Sequence, residues 1–253
     1  AMKIIKNTSF LYIRMMFVMF IAFFTSRVIL DKLGVEDFRI YNVVGGIAIM
    51  FVFFSSSMAN ATQRFLNIEL GKENTVGAKQ VVNQHLLIYG LIAIIVLIVA
   101  ETFGLWFVKN KLVIPDTRMD AAIWVYQFTV ISLCITLLGV VFNSLIIAHE
   151  DMRIYSYVGI VEGVLKLVIA YLISIISFDR LIFLALAFAI LTTAIQIYYF
   201  IYCRKKYQEC VLEWFWNTKQ IKQTFSFISS NTVGTAVYAI NSQGINVLLN
   251  MFF

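Results

Sequence analysis

The stretch LLIYGLIAIIVLIVA, residues 86–100, holds no charged residue and no proline across fifteen positions. Extended to 84–108, it is long enough to cross a hydrocarbon core ~30 Å thick, which takes roughly 20 mostly apolar residues. Its apolar residues run on without alternation. In lipid every backbone polar group must be satisfied inside the structure, which leaves a helix or a closed barrel. A barrel strand alternates apolar and polar positions, so this segment predicts a membrane-spanning helix.

On either side, comparable runs fall at 9–30, 41–64, 121–146, 156–178 and 181–203, and a seventh begins near 224. The whole chain agrees. Of its 253 residues 61% are hydrophobic and only 13% charged, with a mean hydropathy of +0.86. A soluble domain carries about 25% charged residues, so no soluble fold of this size could hide so much apolar surface. One proline and 12 glycines indicate few, short connections. The expected class is an all-α polytopic membrane protein. The first span is too long for a signal-peptide core and lacks a small-residue cleavage site, so it reads as retained.

Lys and Arg in short loops set the orientation. With the N-terminus inside, the cytosolic set is Lys3, Lys6, Arg64, Lys72, Lys79, Arg153, Arg204, Lys205, Lys206, Lys219 and Lys222, which makes 11 against 7 outside. A cytosolic N-terminus is therefore expected. Cys134, Cys203 and Cys210 are unclustered, which indicates neither a disulfide framework nor a metal site. The net charge of +6 is ordinary for a membrane protein and gives no ground for a nucleic-acid partner.

Motifs for chemistry are absent from the sequence. His85 and His149 lie far apart, at cytosolic span ends, and His149 belongs to AHEDMR (148–153), which reads as a solvated turn. No glycine loop follows a strand, and no nucleophile elbow occurs, so an enzyme is not expected. A membrane-embedded polysaccharide polymerase or transferase would need catalytic groups converging on an extended loop. The best outer loop, KNKLVIPDTRMD (109–120), has no histidine and no paired acids aimed at one point. In the connection 204–222, EWFW (213–216) reads as an interfacial aromatic anchor.

Polar residues recur inside the spans at helical spacing. One stripe runs Asn42, Gly46, Ile49, Phe53, Ser56, Asn60, Gln63; another Ser132, Thr136, Gly139, Asn143; a third Gly159, Gly163, Lys166, Ala170, Ser174, Ser177; and the seventh span offers Asn231, Gly234, Tyr238, Asn241. Small and hydroxyl residues line ordinary helix seams, and Gly159-x-x-x-Gly163 is such a packing pattern. Charges within a span cost roughly 2.5–3.5 kcal/mol each on insertion scales and mark a pathway or a bundle interior. Arg14 lies ~7–8 Å from the cytosolic end of its span at ~1.5 Å per residue, within snorkelling reach. Lys166 sits near mid-span, out of that reach. Glu162 precedes it by four, the favoured order for a helical ion pair, and flanks the small-residue face of that helix.

The segment LGVEDFRIYNVVGGIAIMFVFFSSSMANATQRFLNIELGKEN (33–74) resembles bacterial polysaccharide flippases of the O-antigen and capsule type, within the multidrug/oligosaccharidyl-lipid/polysaccharide (MOP) exporter superfamily. Its LG..DF.IYNVVGG, MANATQRF and ELGKEN elements carry the likeness, and AHEDMRIYSYVGIVEGVLKL (148–167) resembles that family's fourth-to-fifth-helix turn. Arg39 departs from the pattern, where relatives often have glycine. The resemblance implies a MATE/MOP-like six-helix N-terminal lobe (1–203), a cytosolic inter-lobe linker (204–222) and the first helix of a second lobe (223–253), in a protein about twice this long.

It also implies a transporter of the bacterial cytoplasmic membrane that flips a lipid-diphosphate-linked oligosaccharide from the inner to the outer leaflet by alternating access. No cofactor is implied, and coupling to a proton or sodium gradient is. The partners would be the lipid bilayer, the lipid-linked oligosaccharide and other polysaccharide-assembly membrane proteins. On this reading Lys166 and Arg14 are cationic contacts, and Asn42, Asn60, Gln63 and Asn143 meet sugar hydroxyls. Glu162 tunes Lys166 or carries a coupling proton. A cation or drug antiporter of the same superfamily is the alternative; it would place unpaired acids in its cavity, and the acids well inside spans are Glu101 and Glu162.

Overall fold

A computed structural model describes the backbone of residues 2–49, 52–213 and 221–229, and the side chains of 8–46, 55–213 and 221–229. The chain is helical almost throughout: α1 (Met2–Leu33), α2 (Val35–Ile49), α3 (Val52–Gly71), α4 (Thr75–Val99), α5 (Leu105–Lys111), α6 (Met119–Ala148), α7 (Met152–Leu172) and α8 (Arg180–Lys206). No strand occurs among the described residues. Five segments are long and apolar enough to cross a membrane: Thr8–Leu33, Thr75–Lys111, Asp116–Ala148, Met152–Ile175 and Arg180–Lys206. These are the expected first, third, fourth, fifth and sixth spans. The second is covered by α2 and α3, with residues 50 and 51 outside the described set. Of the expected seventh span the helical residues 221–229 are described; Asn231, Gly234, Tyr238 and Asn241 lie outside.

Local chemistry places the breaks. Between α1 and α2, Gly34 adopts φ +82°, a left-handed conformation that glycine enters without a Cβ penalty. Its N–H closes on the Leu30 carbonyl at 3.0 Å, and its own carbonyl accepts from Phe38 at 3.1 Å. Asn74 caps α4 by accepting from the Gly77 N–H at 3.0 Å, and Asp179 caps α8 by accepting from the Leu181 and Ile182 N–H groups. A π-helical turn at Ala100–Gly104 links α4 to α5. There Tyr126 donates to the Ala100 carbonyl at 2.8 Å, and Gln127 donates to Glu101 at 2.9 Å.

Helix α6 is the hub, packing on α2, α3, α4, α7 and α8, while α1 pairs with α7. One apolar cluster joins α3, α4, α6 and α8 through Met58, Tyr89, Leu145 and Tyr199; a second, around Val44, Val108, Tyr126 and Leu181, fills the other end. Exposed Phe17, Phe20 and Phe23 on α1 and Ile94, Ile95 and Ile98 on α4 form the surfaces hydrocarbon would cover. Span hydroxyls mostly bond back to their own helix: Thr25 to Ile21, Thr129 to Val125, Ser132 to Phe128 and Thr136 to Ser132. These positions serve packing, as the stripe of small residues suggests.

Two polar assemblies tie the ends. Arg118, just before α6, donates from Nε and Nη2 to Asp37 of α2 at 2.8 and 2.6 Å and from Nη1 to Asp179 at 2.5 Å. One guanidinium thus holds the starts of α2, α6 and α8. At the other end AHEDMR is no free solvated turn. Asp151 accepts from Tyr202 at 2.5 Å, from Tyr207 at 3.1 Å and from Lys206. The His149 ring stacks on Tyr207 with centroids 4.2 Å apart, and its Nε2 lies 3.7 Å from the buried carboxylate of Glu209. Residues 207–213 are docked rather than loose: Asn83 donates to the Val211 carbonyl at 2.8 Å and accepts from the Glu213 N–H at 2.7 Å, and Lys79 pairs with Glu213. The rest of EWFW lies outside the described residues. His85 is fully buried, not at an open helix end. It touches Thr62 at 2.9 Å and Tyr89 at 3.3 Å through Nδ1, and Thr224 at 3.2 Å through Nε2.

The 207–213 clasp should loosen in acid. Burial pushes His149 below its usual value, outweighing the attraction of Glu209. Burial pushes Asp151 up, but the bonds from Lys206, Tyr202 and Tyr207 outweigh it and hold the carboxyl below its usual range. A depressed folded pKa means stability that is complete above the unfolded value and lost as pH falls. For His149 the loss begins near pH ~6.5; for Asp151 it begins below about 4. Amide hydrogen exchange at 207–213, corrected for intrinsic rates, should be faster at about pH 5.5 than at about 7.5, on either side of the ordinary histidine value. His149→Gln should abolish the difference.

Candidate functional site

A groove of about 460 Å³ lies between α1, α2, α7 and α8, and Arg14, Asn42, Glu162 and Lys166 all line it. Its architecture follows from two glycines. Helices α1 and α7 run side by side, with Arg14 beside Gly159, Ile21 beside Gly163, and Ile29 clustered with Ala170. A Cβ at Gly159 would collide with Arg14 Nε, whereas one at Gly163 would meet Ile21 at 3.6 Å, ordinary contact. Gly163 is thus part of a close seam, and Gly159 specifically makes room for a guanidinium.

Arg14 reaches along α7 from Gly159 to Tyr155, towards the start of both helices. Its guanidinium lies over the Tyr155 ring, 4.2 Å from the centroid, a cation–π contact. Its Nε is buried without an acceptor. Lys166 Nζ donates to Glu162 Oε1 at 2.7 Å, so the expected i,i+4 pair is made. Both members open into the groove, with side chains 39% and 33% exposed. Glu162 therefore shares the polar face with Lys166 instead of flanking it. Two cations face one acid, which leaves the groove with a net charge of +1. Asn42 donates to the Phe38 carbonyl at 2.8 Å while remaining exposed to the groove.

The other three expected contacts are elsewhere. Asn60 is exposed and Gln63 half-buried on α3; Asn143 is half-buried on α6 with its Oδ1 enclosed and without a donor. The neighbouring Ser144 donates to the Ala59 carbonyl, which places this amide group on the α3–α6 side of the lobe. None of the three lines the groove. The stripe on α7, read from Gly159 onward, missed Tyr155 one turn earlier, on the same face and in direct contact with Arg14. The apolar sixth span likewise hid Gln196, whose side chain fills the space that Gly139 leaves open.

A profile of the MatE family matches residues 12–172, from α1 to the end of α7. No curated protein sequence matches the chain. Solved structures with the same fold include an inward-facing multidrug resistance MATE family transporter of the MOP superfamily, at TM-score 0.72 and 14% identity over 91% of this chain and 52% of that one. A point mutant of MATE gives TM-score 0.74 and 14% identity over 90% and 52%. A MOP superfamily transporter from Pyrococcus furiosus, whose reverse-polarity binding pocket is taken to suggest a different function, gives 0.71 and 13% over 93% and 52%. The chain spans about half the length of these relatives, and at such identities the likeness is one of fold. With more than half of its residues matched by the family profile and its helices arranged as in these structures, the chain belongs to the MatE family and has the N-terminal half of the MATE transporter fold.

Proposed function

We propose that the intact protein moves an anionic amphiphile, a lipid-diphosphate-linked oligosaccharide, from the inner to the outer leaflet of the bacterial cytoplasmic membrane, with its N-terminus in the cytosol. The observation that carries this reading is the charge of the α1–α7 groove. Among the described residues its one acid is already held by Lys166, while Arg14 keeps a buried donor without an acceptor. In a low-dielectric setting a lone guanidinium favours an anion, and its planar fork matches phosphate oxygens. A cationic drug entering the same groove would meet net repulsion. Asn42 is the amide placed to meet a sugar hydroxyl; Asn60, Gln63 and Asn143 are assigned no contact with ligand in this groove.

Glycan export by cells carrying Arg14→Ala at normal membrane levels should fall at least about tenfold, since a hydrogen bond to a charged group contributes roughly 1.5–3 kcal/mol. Arg14→Lys keeps the charge but loses the fork and the stack on Tyr155, and should fall between the two. Undiminished export by Arg14→Ala would remove the groove from the transport path.

A further inference from the structure

A second groove, of about 370 Å³, runs between α7 and α8 and shares no residue with the one that holds Arg14. Val161 and Leu165 of α7 and Leu191 and Ala194 of α8 line it, all within spanning segments, and no charged side chain does. Ala194 is one turn from both Leu191 and Tyr198, so its methyl leaves a trough between larger side chains. Tyr157 and Tyr198, each about half exposed, stand at the end where α7 begins and α8 closes. Those two ends lie together, since Lys206 at the close of α8 bonds Asp151 just before α7. We propose that this groove binds an anionic glycerophospholipid, with one acyl chain in the trough and the phosphate at Arg153 and Lys205.

Charge selects the headgroup. Arg153 precedes Tyr157 by one turn, and Lys205 follows Tyr198 by seven residues, two turns on along the same face of α8. At ~1.5 Å per residue they stand roughly 6 and 10 Å beyond the tyrosines, where a phosphate lies when the chain below it enters between the rings. Both are exposed. Arg153 stands over Phe10, 5.9 Å from its centroid, and Phe10 meets Tyr157 edge-on at 6.2 Å, which sets the guanidinium beside the rim. Among the described residues neither cation is in an ion pair. The nearby Asp151 is taken by Lys206, Tyr202 and Tyr207, and Glu209 faces His149. Tyrosines at headgroup level and basic groups between helix ends are what an anionic lipid meets in a membrane protein. A zwitterionic headgroup brings its own ammonium to the same cations and gains less. A partner helix fits less well, because eight side chains line the trough whereas a stable interface engages roughly 20–30 on a side. The site is independent of what the Arg14 groove handles.

Native mass spectrometry of the intact protein in a non-ionic detergent, titrated with dioleoyl phosphatidylglycerol or dioleoyl phosphatidylcholine, counts the lipid bound. Phosphatidylglycerol should bind at least about tenfold more tightly, the scale set by two basic groups beside an anionic headgroup. Ala194→Phe changes no charge and alters an exposed position, so the fold should hold. Filling the trough, it should weaken phosphatidylglycerol at least about tenfold, because it displaces the buried chain. Arg153→Gln combined with Lys205→Gln should erase the preference between the lipids and leave phosphatidylcholine binding as it was. Equal affinity of the wild type for the two lipids would overturn the proposal without any variant. Undiminished phosphatidylglycerol binding by Ala194→Phe would place the lipid elsewhere, and a preference that survives the double substitution would remove the two cations; either result overturns the site. A dimer that Ala194→Phe disrupts, with no lipid bound by the wild type, would give the groove to a second copy of the chain instead.

Discussion

Arg118→Ala is expected to destabilise the lobe more than any other single change at the end where α2, α6 and α8 begin, by about 2–3 kcal/mol. Truncating one partner of a buried charge assembly costs roughly 3–5 kcal/mol, and the lower figure reflects partial solvent access. The side chains of Arg118, Asp37 and Asp179 are 24%, 18% and 26% exposed. The loss is larger than that of one ion pair because two carboxylates are left facing the same vacated space. Adding Asp37→Asn to Arg118→Ala should therefore recover part of the stability, a coupling that a double-mutant cycle reads directly. Arg118→Lys should behave more like alanine than like arginine, since an ammonium cannot present parallel N–H groups to two carboxylates. Thermal unfolding in detergent measures all three. Additive effects of Asp37→Asn and Arg118→Ala would show that the clasp does not act as a unit.

Gly159→Val is expected to cut transport by at least about tenfold while leaving the fold nearly intact. A side chain at 159 occupies the space of Arg14 Nε, and the collision is with a side chain, not with backbone. The guanidinium can swing away, so the cost to folding is modest, but it then leaves Tyr155 and the position where a phosphate would meet it. Displacing one charged contact by an ångström or more forfeits most of its roughly 1.5–3 kcal/mol, which corresponds to about ten- to a hundredfold. Gly163→Ala, one turn on, meets only Ile21 at ordinary contact distance and should be tolerated. The pair separates a positioning role for Gly159 from the general packing role of small residues on this seam.

The spans could be read from the chain because the bilayer imposes a length and a continuous apolar character that few soluble segments share. Helical periodicity also told correctly that small and hydroxyl positions would serve packing and that Glu162 would pair with Lys166. What periodicity supplies is an angle around one helix. It does not say which helix shares that angle, and so Asn42 joined the groove while Asn60, Gln63 and Asn143 fell to other parts of the lobe. Arg118 meets partners 81 and 61 residues away, and no local spacing announces such a clasp. Turns misled for a related reason. AHEDMR is as polar as a solvated loop, but Tyr207 and Glu209 return from the end of α8 to cover it. Tyr155 was hidden by its ordinariness: an aromatic in a membrane helix carries no signal until a guanidinium is found on its face.

Whether the groove between α1 and α7 handles an anion can be decided by reconstituting the intact protein into liposomes. One set carries a fluorescent lipid-diphosphate oligosaccharide and another a cationic dye, and the movement of each across the bilayer is followed. The diphosphate lipid should be translocated by the wild type and not by Arg14→Ala, and the dye should not move. Transport of the dye, unaffected by Arg14→Ala and without any movement of the diphosphate lipid, would contradict an anion-handling groove.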